Sequence, residues 1–162
     1  MIAAPLVTIA PYGAGRGPTG DPNDAGTVGQ ISLVKFEQLA NGAMGGMALD
    51  GSGRVWTFGY NLYGELGIGK NSTQQMYYGG MKRVPYFIEE NINIIKVGAS
   101  YQTRFALSSA GEVYVWGQGS SGEMGDGSTR SENSIPKKVE GLPKIVDMFV
   151  SSSYVYVTGG AV

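Results

Sequence analysis

Two stretches of the chain resemble each other: ALSSAGEVYVWGQGSSGEMGDG at residues 106–127 and ALDGSGRVWTFGYNLYGELGIG at residues 48–69. Aligned without a gap at an offset of 58, they are identical at nine of 22 positions. Average composition would give roughly one or two identities over this length. The chain therefore contains an internal repeat, in which one supersecondary unit packs against the next.

Each copy also carries the pattern of a β-hairpin. In the first copy, residues 45–50 and 54–59 predict two strands around a turn at 51–53. In the second copy, residues 103–108 and 112–117 predict the same pair. Alternate residues of a strand point to opposite faces, and both faces of these hairpins are largely apolar. We therefore expect each small sheet to be packed between two similar sheets.

A turn with four glycines ends each of the two copies. Glycine is the residue that adopts positive φ without strain and lets two backbones approach closely. We expect a structural role of this kind for the repeat glycines, which are Gly59, Gly64, Gly67 and Gly69 in the first copy and Gly117, Gly122, Gly125 and Gly127 in the second.

The two copies differ in the length of the connection that follows the glycine turn. Gly69 to Pro85 spans 16 positions, whereas Gly127 to Pro136 spans nine. The difference predicts a seven-residue insertion in a loop at residues 70–83. Adaptable, aromatic and cationic side chains are common at binding surfaces. The loop therefore supplies the candidate partner-binding residues, which are Met76, Tyr77, Tyr78, Met81, Lys82 and Arg83.

A third copy follows at an offset of 51, with Val84 and Pro85 aligned to Ile135 and Pro136. With one residue deleted, Tyr156 aligns to Ala106. The sequence stops inside the hairpin of this copy, which would leave an incomplete sheet. We expect either further repeats beyond it or partner copies that complete the structure.

The domain organisation is therefore an N-terminal arm at residues 1–35 followed by repeats at 36–93 and 94–144 and an incomplete repeat at 145–162. The arm is too rich in Gly, Pro, Asp and Asn for regular structure, apart from a candidate edge strand at residues 6–9. Two interpretations of the arm stay open. It either lies on another molecule or is an unstructured leader.

Composition limits the chemistry that the chain can perform. There are 27 glycines in 162 residues, which favours tight turns over long helices. The formal net charge is −1 and no block of five like charges occurs, so nucleic acid is not an expected partner. His and Cys are absent, which removes the commonest general base and the commonest transition-metal ligands. We expect no catalytic residues, no metal and no cofactor.

The beginning of the sequence shows neither a basic leader nor a long apolar run. Pro5 and Pro11 interrupt the first apolar residues, which is atypical of a secretory signal. No run approaches the 18 or so apolar residues of a membrane span. We expect a product without a membrane span that is not secreted by a signal peptide, located in a virion if viral and otherwise in the cytoplasm.

Two other patterns are better explained by turns than by chemistry. Residues 117–122 match Gly-x-Gly-x-x-Gly after a strand, but no helix pattern follows to receive a phosphate. Glu65 and Glu123 could be imagined as an acid–base pair, but they occupy equivalent repeat positions. A structural role at the turn is therefore the favoured interpretation.

The repeated pattern resembles that of the regulator of chromosome condensation family over about residues 36–162. It consists of a small-apolar pair, a short turn, Gly-x-Val-x-x-aromatic-Gly and Gly-x-x-Gly-x-Gly. The residues that carry it are Ala48, Leu49, Gly53, Val55, Phe58, Gly59, Asn61, Gly64, Leu66, Gly67 and Gly69, with Ala106, Leu107, Gly111, Val113, Trp116, Gly117, Gly122, Met124, Gly125 and Gly127 in the second copy. The sequence departs from the family at Glu65 and Glu123, where Gln is frequent, and at Met124 in place of Leu.

The resemblance implies an all-β fold. In this family the fold is a β-propeller, usually of seven blades with four antiparallel strands each. By that standard the chain holds a partial β-propeller of two blades plus the start of a third, preceded by the extended N-terminal arm.

Function is predicted less closely than fold, because one fold hosts many functions. The leading hypothesis is a non-enzymatic protein-binding or structural module that residues 1–35 anchor among the protein subunits of a large assembly, such as a phage virion tail or fibre. The family also includes a nucleotide-exchange factor for a nuclear GTPase and a bacterial inhibitor of β-lactamases. An intracellular regulator of a small GTPase is therefore the second hypothesis, and a propeller-type enzyme inhibitor is the third.

Overall fold

The structure is a computed structural model, and it describes residues 34–70 and 72–160. Most of the predicted arm, including the candidate strand at residues 6–9, lies outside the described residues. The described chain forms three antiparallel sheets, each with its strands in chain order. The first sheet contains β1 (Phe36–Gly42), β2 (Gly45–Asp50), β3 (Val55–Tyr60) and β4 (Tyr77–Arg83).

The second sheet repeats the first, and the third repeats half of it. The second contains β5 (Ile94–Ser100), β6 (Thr103–Ser108), β7 (Val113–Gly117) and β8 (Asn133–Lys138). The third contains β9 (Ile145–Val150) and β10 (Val155–Gly159). The two predicted hairpins are confirmed as the antiparallel pairs β2–β3 and β6–β7.

The sheets are arranged as the blades of a propeller. The first strands of successive sheets lie against one another, β1 against β5 and β5 against β9. These strands are therefore the inner ones, and β4 and β8 form the outer edges. The predicted all-β partial propeller, with two four-stranded blades and the start of a third, is confirmed.

Apolar side chains from both faces of the second blade hold the three sheets together. Towards the first blade, Tyr114 and Trp116 pack against Met47, Leu49 and Val55. On its other face, a second cluster joins the second and third sheets through side chains that include Leu107, Val115, Ile145 and Met148. Because each such side chain contributes about 1.5–3 kcal/mol when fully buried, the stability of each blade depends on its neighbours.

A short helix, α1 (Pro85–Glu89), links the first two blades and was not predicted. It begins with proline, whose fixed φ suits the first helical position. Phe87 anchors the helix, with its ring centroid 5.3 Å from that of Tyr114 and 5.7 Å from that of Trp116. The helix therefore adds one aromatic side chain to the core between the blades.

The predicted single loop at residues 70–83 was wrong from residue 77 onward. The register pairs Gly59 with Tyr78 and Gly117 with Asn133, so β4 and β8 are equivalent outer strands. Five of the six candidate residues, all except Met76, therefore lie in a strand. The physical reason is that the free edge of β3 offers backbone groups that β4 satisfies by pairing.

The seven-residue insertion is divided between two places. Gly69 to Tyr78 spans nine positions where Gly127 to Asn133 spans six, which leaves three extra residues before β4. The other four follow β4, in the connection that contains α1. The alignment of Val84 and Pro85 to Ile135 and Pro136 was therefore wrong. Val84 N–H donates to the Val55 carbonyl as Val139 N–H does to that of Val113, so the equivalent of Val84 is Val139.

The third sheet follows the second without the predicted deletion. Met148 pairs with Val157 as Val97 pairs with Ala106, which keeps the offset of 51. The alignment of Tyr156 to Ala106 was therefore wrong by one residue. Because a slip of one residue reverses the faces of a strand, Val157 packs against the second blade and Tyr156 is 61% exposed.

Candidate functional site

The glycine turn of the first blade contacts the second blade through backbone hydrogen bonds. All eight repeat glycines have positive φ, between 64° and 100°. Asn133 N–H donates to the carbonyl of Tyr63 at 3.0 Å, and Gly69 N–H donates to that of Ser134 at 2.9 Å. A Cβ atom on Gly64 would lie 2.6 Å from the Cα atom of Ser134. The turn thus needs glycine both for its φ and for its close approach to β8.

Glu65 and Glu123 act inside these turns. The carboxylate of Glu65 accepts a 2.8 Å hydrogen bond from Tyr63 N–H, and that of Glu123 accepts an equivalent one from Ser121 N–H. Burial raises the pKa of Glu65, and the backbone hydrogen bonds and Arg104 oppose the shift. The same contact in both copies is what a structural role at the turn requires.

The structure does not bring the six candidate partner-binding residues together. Met81 is buried beside Trp56, and the guanidinium of Arg83 lies 4.7 Å from the centroid of the Trp56 ring. The ammonium of Lys82 lies 5.3 Å from the centroid of the Tyr78 ring. Met81 and Arg83 therefore contribute to packing within the first blade, whereas Tyr78 and Lys82 are shown in contact with each other.

The other two candidates, Met76 and Tyr77, are exposed and lie beside two residues that sequence reasoning missed. Tyr60 and Tyr77 are paired across β3 and β4, with ring centroids 5.2 Å apart. Leu62 follows two residues after Tyr60. We call these four residues the outer corner; their exposed fractions are 41% for Tyr60, 40% for Leu62, 45% for Met76 and 42% for Tyr77.

The second blade has polar residues at the positions of the outer corner. The offset of 58 aligns Tyr60 with Gln118 and Leu62 with Ser120. Tyr78 pairs with Gly59 in the first blade and Asn133 pairs with Gly117 in the second, so Tyr78 and Asn133 are equivalent. The two residues before each of them are therefore equivalent as well, and Met76 and Tyr77 correspond to Ser131 and Glu132. The blades thus share their core and their glycine turns but differ at this exposed corner. The contrast between aligned repeats was the signal that could have identified Tyr60 and Leu62.

No metal-binding or membrane-spanning feature stands out in the described chain. Across residues 34–70 and 72–160, no group of three or more His, Cys, Asp or Glu side chains is placed to hold a metal ion. Within the same ranges, no helix has the length and apolar character needed to cross a membrane.

The fold and its turns define a class of protein, a segment of a β-propeller in which the glycine turn of the first blade is hydrogen-bonded to the second blade. The model of the regulator of chromosome condensation (RCC1) repeat matches residues 52–107 and 110–157. The chain belongs to this repeat family. Each matched segment begins near the turn of one hairpin and ends in the next blade, so the sequence repeat and the structural blade are out of phase.

Curated relatives are much longer than this chain. It is 32% identical over 143 residues to the mitochondrial RCC1 domain-containing protein RUG3 of Arabidopsis thaliana, covering 85% of this chain and 31% of that protein. It is 27% identical over 112 residues to the ultraviolet-B receptor UVR8 of the same plant, covering 69% of this chain and 24% of that protein. A 34% match over 112 residues of the mouse E3 ubiquitin-protein ligase HERC2 covers 67% of this chain and 2% of that protein.

Solved structures share the fold. Human WBSCR16 superposes with a TM-score of 0.70 at 18% identity, over 81% of this chain and 32% of that one. Yeast RCC1 (Prp20), in its complex with Kap60, superposes with a TM-score of 0.62 at 25% identity, over 77% of this chain and 30% of that one. Prp20p of Saccharomyces cerevisiae, described with its binding to Gsp1p and histones, gives a TM-score of 0.56 at 25% identity, over 78% of this chain and 32% of that one.

Proposed function

We propose that the chain is a non-enzymatic, protein-binding segment of an RCC1-type propeller and that the outer corner of its first blade contacts the partner. The observation that carries the proposal is the difference between the two blades at this corner. Equivalent positions hold Tyr60, Leu62, Met76 and Tyr77 in one blade and Gln118, Ser120, Ser131 and Glu132 in the other. The polar set shows that the fold does not require apolar residues here.

The chemistry of the outer corner suits a protein partner. Tyrosine and methionine are enriched in the cores of protein interfaces, where charged residues are depleted. Tyr60 and Tyr77 are already in contact with each other, so binding would immobilise few additional side-chain rotors. None of the four residues is charged. We therefore expect the partner to bury the corner with apolar groups of its own.

A small GTPase is the partner class that we favour. The structural relatives at 25% identity include Prp20p, described with its binding to Gsp1p and histones. The family also includes a nucleotide-exchange factor for a nuclear GTPase. We infer that a regulator of a small GTPase describes this chain better than a virion subunit, which nothing in the comparisons supports. The proposed contact of residues 1–35 with an assembly stays a prediction.

Site-specific crosslinking tests the contact surface. The photoreactive amino acid p-benzoylphenylalanine would replace Leu62 in one variant and the equivalent Ser120 in a matched control. After irradiation in cells, we expect an adduct with a defined partner at position 62 and none at position 120. The partner would then be purified and the complex rebuilt. Equal labelling at the two positions, or a rebuilt complex that tolerates Tyr60→Gln and Leu62→Ser, would contradict the proposal.

Nucleotide release tests the partner class separately. Purified small GTPases loaded with a fluorescent guanine nucleotide would be mixed with the chain and with the Tyr60→Gln, Leu62→Ser variant. We expect the chain to bind one of them and change its release rate, and the variant to do so less. If the crosslinked partner is not a GTPase and no release rate changes, the binding surface stands and the GTPase assignment is wrong.

A further inference from the structure

A loop of the first blade reaches across to the second blade and is bound there by one side chain. Glu132, the residue before β8, accepts a 2.6 Å hydrogen bond from Ser72 N–H at its Oε1 atom. The hydroxyl of Ser72 donates to Oε2 of the same carboxylate at 3.5 Å. We call residues 72–75 the strap. The strap belongs to the connection before β4 that is three residues longer than its counterpart in the second blade.

The bond between the strap and the second blade is charge-assisted. A backbone N–H that donates to a carboxylate forms a shorter and stronger hydrogen bond than one that donates to a neutral acceptor. Ser72 and Glu132 are 60 positions apart in the sequence. Only the stacking of the two blades brings them together, so the strap is held in place by a residue that its own blade does not contain.

The other end of the strap is hydrogen-bonded to the outer corner. The buried side chain of Asn61 donates through Nδ2 to the carbonyl of Gln75 at 2.8 Å. The backbone N–H of Asn61 donates to the carbonyl of Met76 at 2.8 Å. Gln75 in turn donates through Nε2 to the carbonyl of Tyr77 at 2.6 Å. A displacement of the strap is therefore transmitted to Met76 and Tyr77, the two corner residues that follow it in the chain.

The second blade closes its shorter connection in a different way. There, Asn133 donates through Nδ2 to the carbonyls of Gly117 and Arg130, each at 3.0 Å, so this connection is held by a residue of its own blade. Glu132 occupies the position that Tyr77 has in the first blade. One repeat position thus supplies a binding side chain in the first blade, and in the second blade it supplies the side chain that holds the strap.

We propose that Glu132 is a positioning residue for the outer corner. It holds the strap on the second blade, and the strap keeps Met76 and Tyr77 in the arrangement that the partner binds. The inference rests on the proposed protein-binding function and adds a means of control to it. A site that is already held in its bound arrangement loses less conformational entropy when the partner binds. Release of the strap should therefore weaken binding although every side chain of the corner is still present.

The test breaks the contact with charge and then rebuilds it. Ser72→Asp places a carboxylate against that of Glu132, and the repulsion between like charges should release the strap. Adding Glu132→Lys to this variant creates a pair of opposite charges, which should hold the strap again. Glu132→Ala removes the acceptor and is a second releasing variant. Ser72→Ala is the matched control, because it removes only the 3.5 Å hydroxyl contact and keeps the backbone N–H.

Amide hydrogen exchange measures the release of the strap without a partner. The reporter is Asn61 N–H, which donates to the carbonyl of Met76 in the outer corner. We expect its exchange to be at least about fivefold faster in the Ser72→Asp and Glu132→Ala variants. It should return to within about twofold of the original rate in the Ser72→Asp, Glu132→Lys variant and stay there in Ser72→Ala. Unchanged exchange in both releasing variants, or no recovery in the charge-paired variant, would overturn the inference.

Crosslinking in cells connects the strap to partner binding and separates the two proposals. With p-benzoylphenylalanine in place of Leu62, we expect the adduct yield to fall at least about threefold when Ser72→Asp is added and to recover with Glu132→Lys. An unchanged yield in a variant whose Asn61 exchange shows release would support the proposed function and overturn the inference. No adduct with the original strap would contradict the proposed function, while faster Asn61 exchange in the releasing variants would still support positioning of the corner by Glu132.

Discussion

The indole Nε1 of Trp116 donates a 2.9 Å hydrogen bond to the backbone carbonyl of Glu65, across the boundary between the second and first blades. Both groups are buried. The same tryptophan ring packs on Phe87 of the connecting helix. One side chain therefore joins the glycine turn of the first blade, the helix and the second sheet, and the stacking of the blades depends on it.

Trp116→Phe should destabilise the chain by about 2 kcal/mol, because it leaves the carbonyl of Glu65 without its donor and opens a small cavity. Urea unfolding measures the change. Trp56→Phe is the control, since Trp56 donates within its own blade to the carboxylate of Asp50, which keeps two backbone donors. Equal losses of unfolding free energy in the two variants would show that the hydrogen bond from Trp116 to the Glu65 carbonyl adds no stability beyond that of a bond within one blade.

Gly64→Ala and Gly122→Ala should differ sharply, although the two glycines have φ of 84° and 89°. At Gly122 a Cβ atom would meet nothing within 4 Å, so alanine costs only the backbone strain of the left-handed region, about 1–2 kcal/mol. At Gly64 it would collide with the backbone of β8, and we expect about 2 kcal/mol more. Thermal unfolding of both variants gives the comparison. Equal costs would mean that the turn does not rest on the second blade.

Asp147→Asn should lower stability at neutral pH and matter less in acid. A hydrogen bond from the ammonium of Lys96 on the neighbouring blade holds the pKa of Asp147 below its ordinary value. A carboxyl whose pKa is lowered by folding contributes stability at neutral pH and loses it as pH falls through the folded-state pKa. Melting temperatures from neutral pH to about pH 3 measure this. In the Lys96→Met background the pH-dependent difference should largely vanish, and its persistence there would refute the assignment.

Arg83→Ala and Tyr77→Thr should separate packing from binding on β4. Arg83 covers the ring of Trp56, so its loss should cost about 1 kcal/mol and increase acrylamide quenching of tryptophan fluorescence. Tyr77 is 42% exposed, and threonine keeps the strand preference. We therefore expect that variant to stay within about 0.5 kcal/mol of the original stability. A large loss of stability with Tyr77→Thr would show that the outer corner is a packing feature.

The local parts of the fold were predictable from the sequence because their signals are local. Gly53 and Gly111 mark the hairpin turns, and the alternating side chains on either side give the strands their two buried faces. The outer strand β4 was not predictable in this way, because its segment contains Gly79 and Gly80 and follows a polar stretch. It becomes a strand only because the edge of β3 is there to pair with it, which is a tertiary effect.

The candidate surfaces were predictable only in part. Met76 and Tyr77 were identified by composition. Met81 and Arg83 instead pack against Trp56, because alternate residues of a strand lie on the same face. That alternation could not be applied to a segment predicted as a loop. The contact of Ser72 with Glu132 carries no sequence signal, because only the stacking of the blades brings the two residues together.

The central claim is that the sheets are stacked as blades and that the glycine turn of the first blade joins it to the second. Amide hydrogen exchange tests it most directly, at the backbone N–H groups of Gly69 and Asn133, which donate between blades. We predict protection within about tenfold of that of amides paired inside the sheets. Exchange of Gly69 and Asn133 as fast as that of exposed loop amides, with the strands themselves protected, would contradict the account.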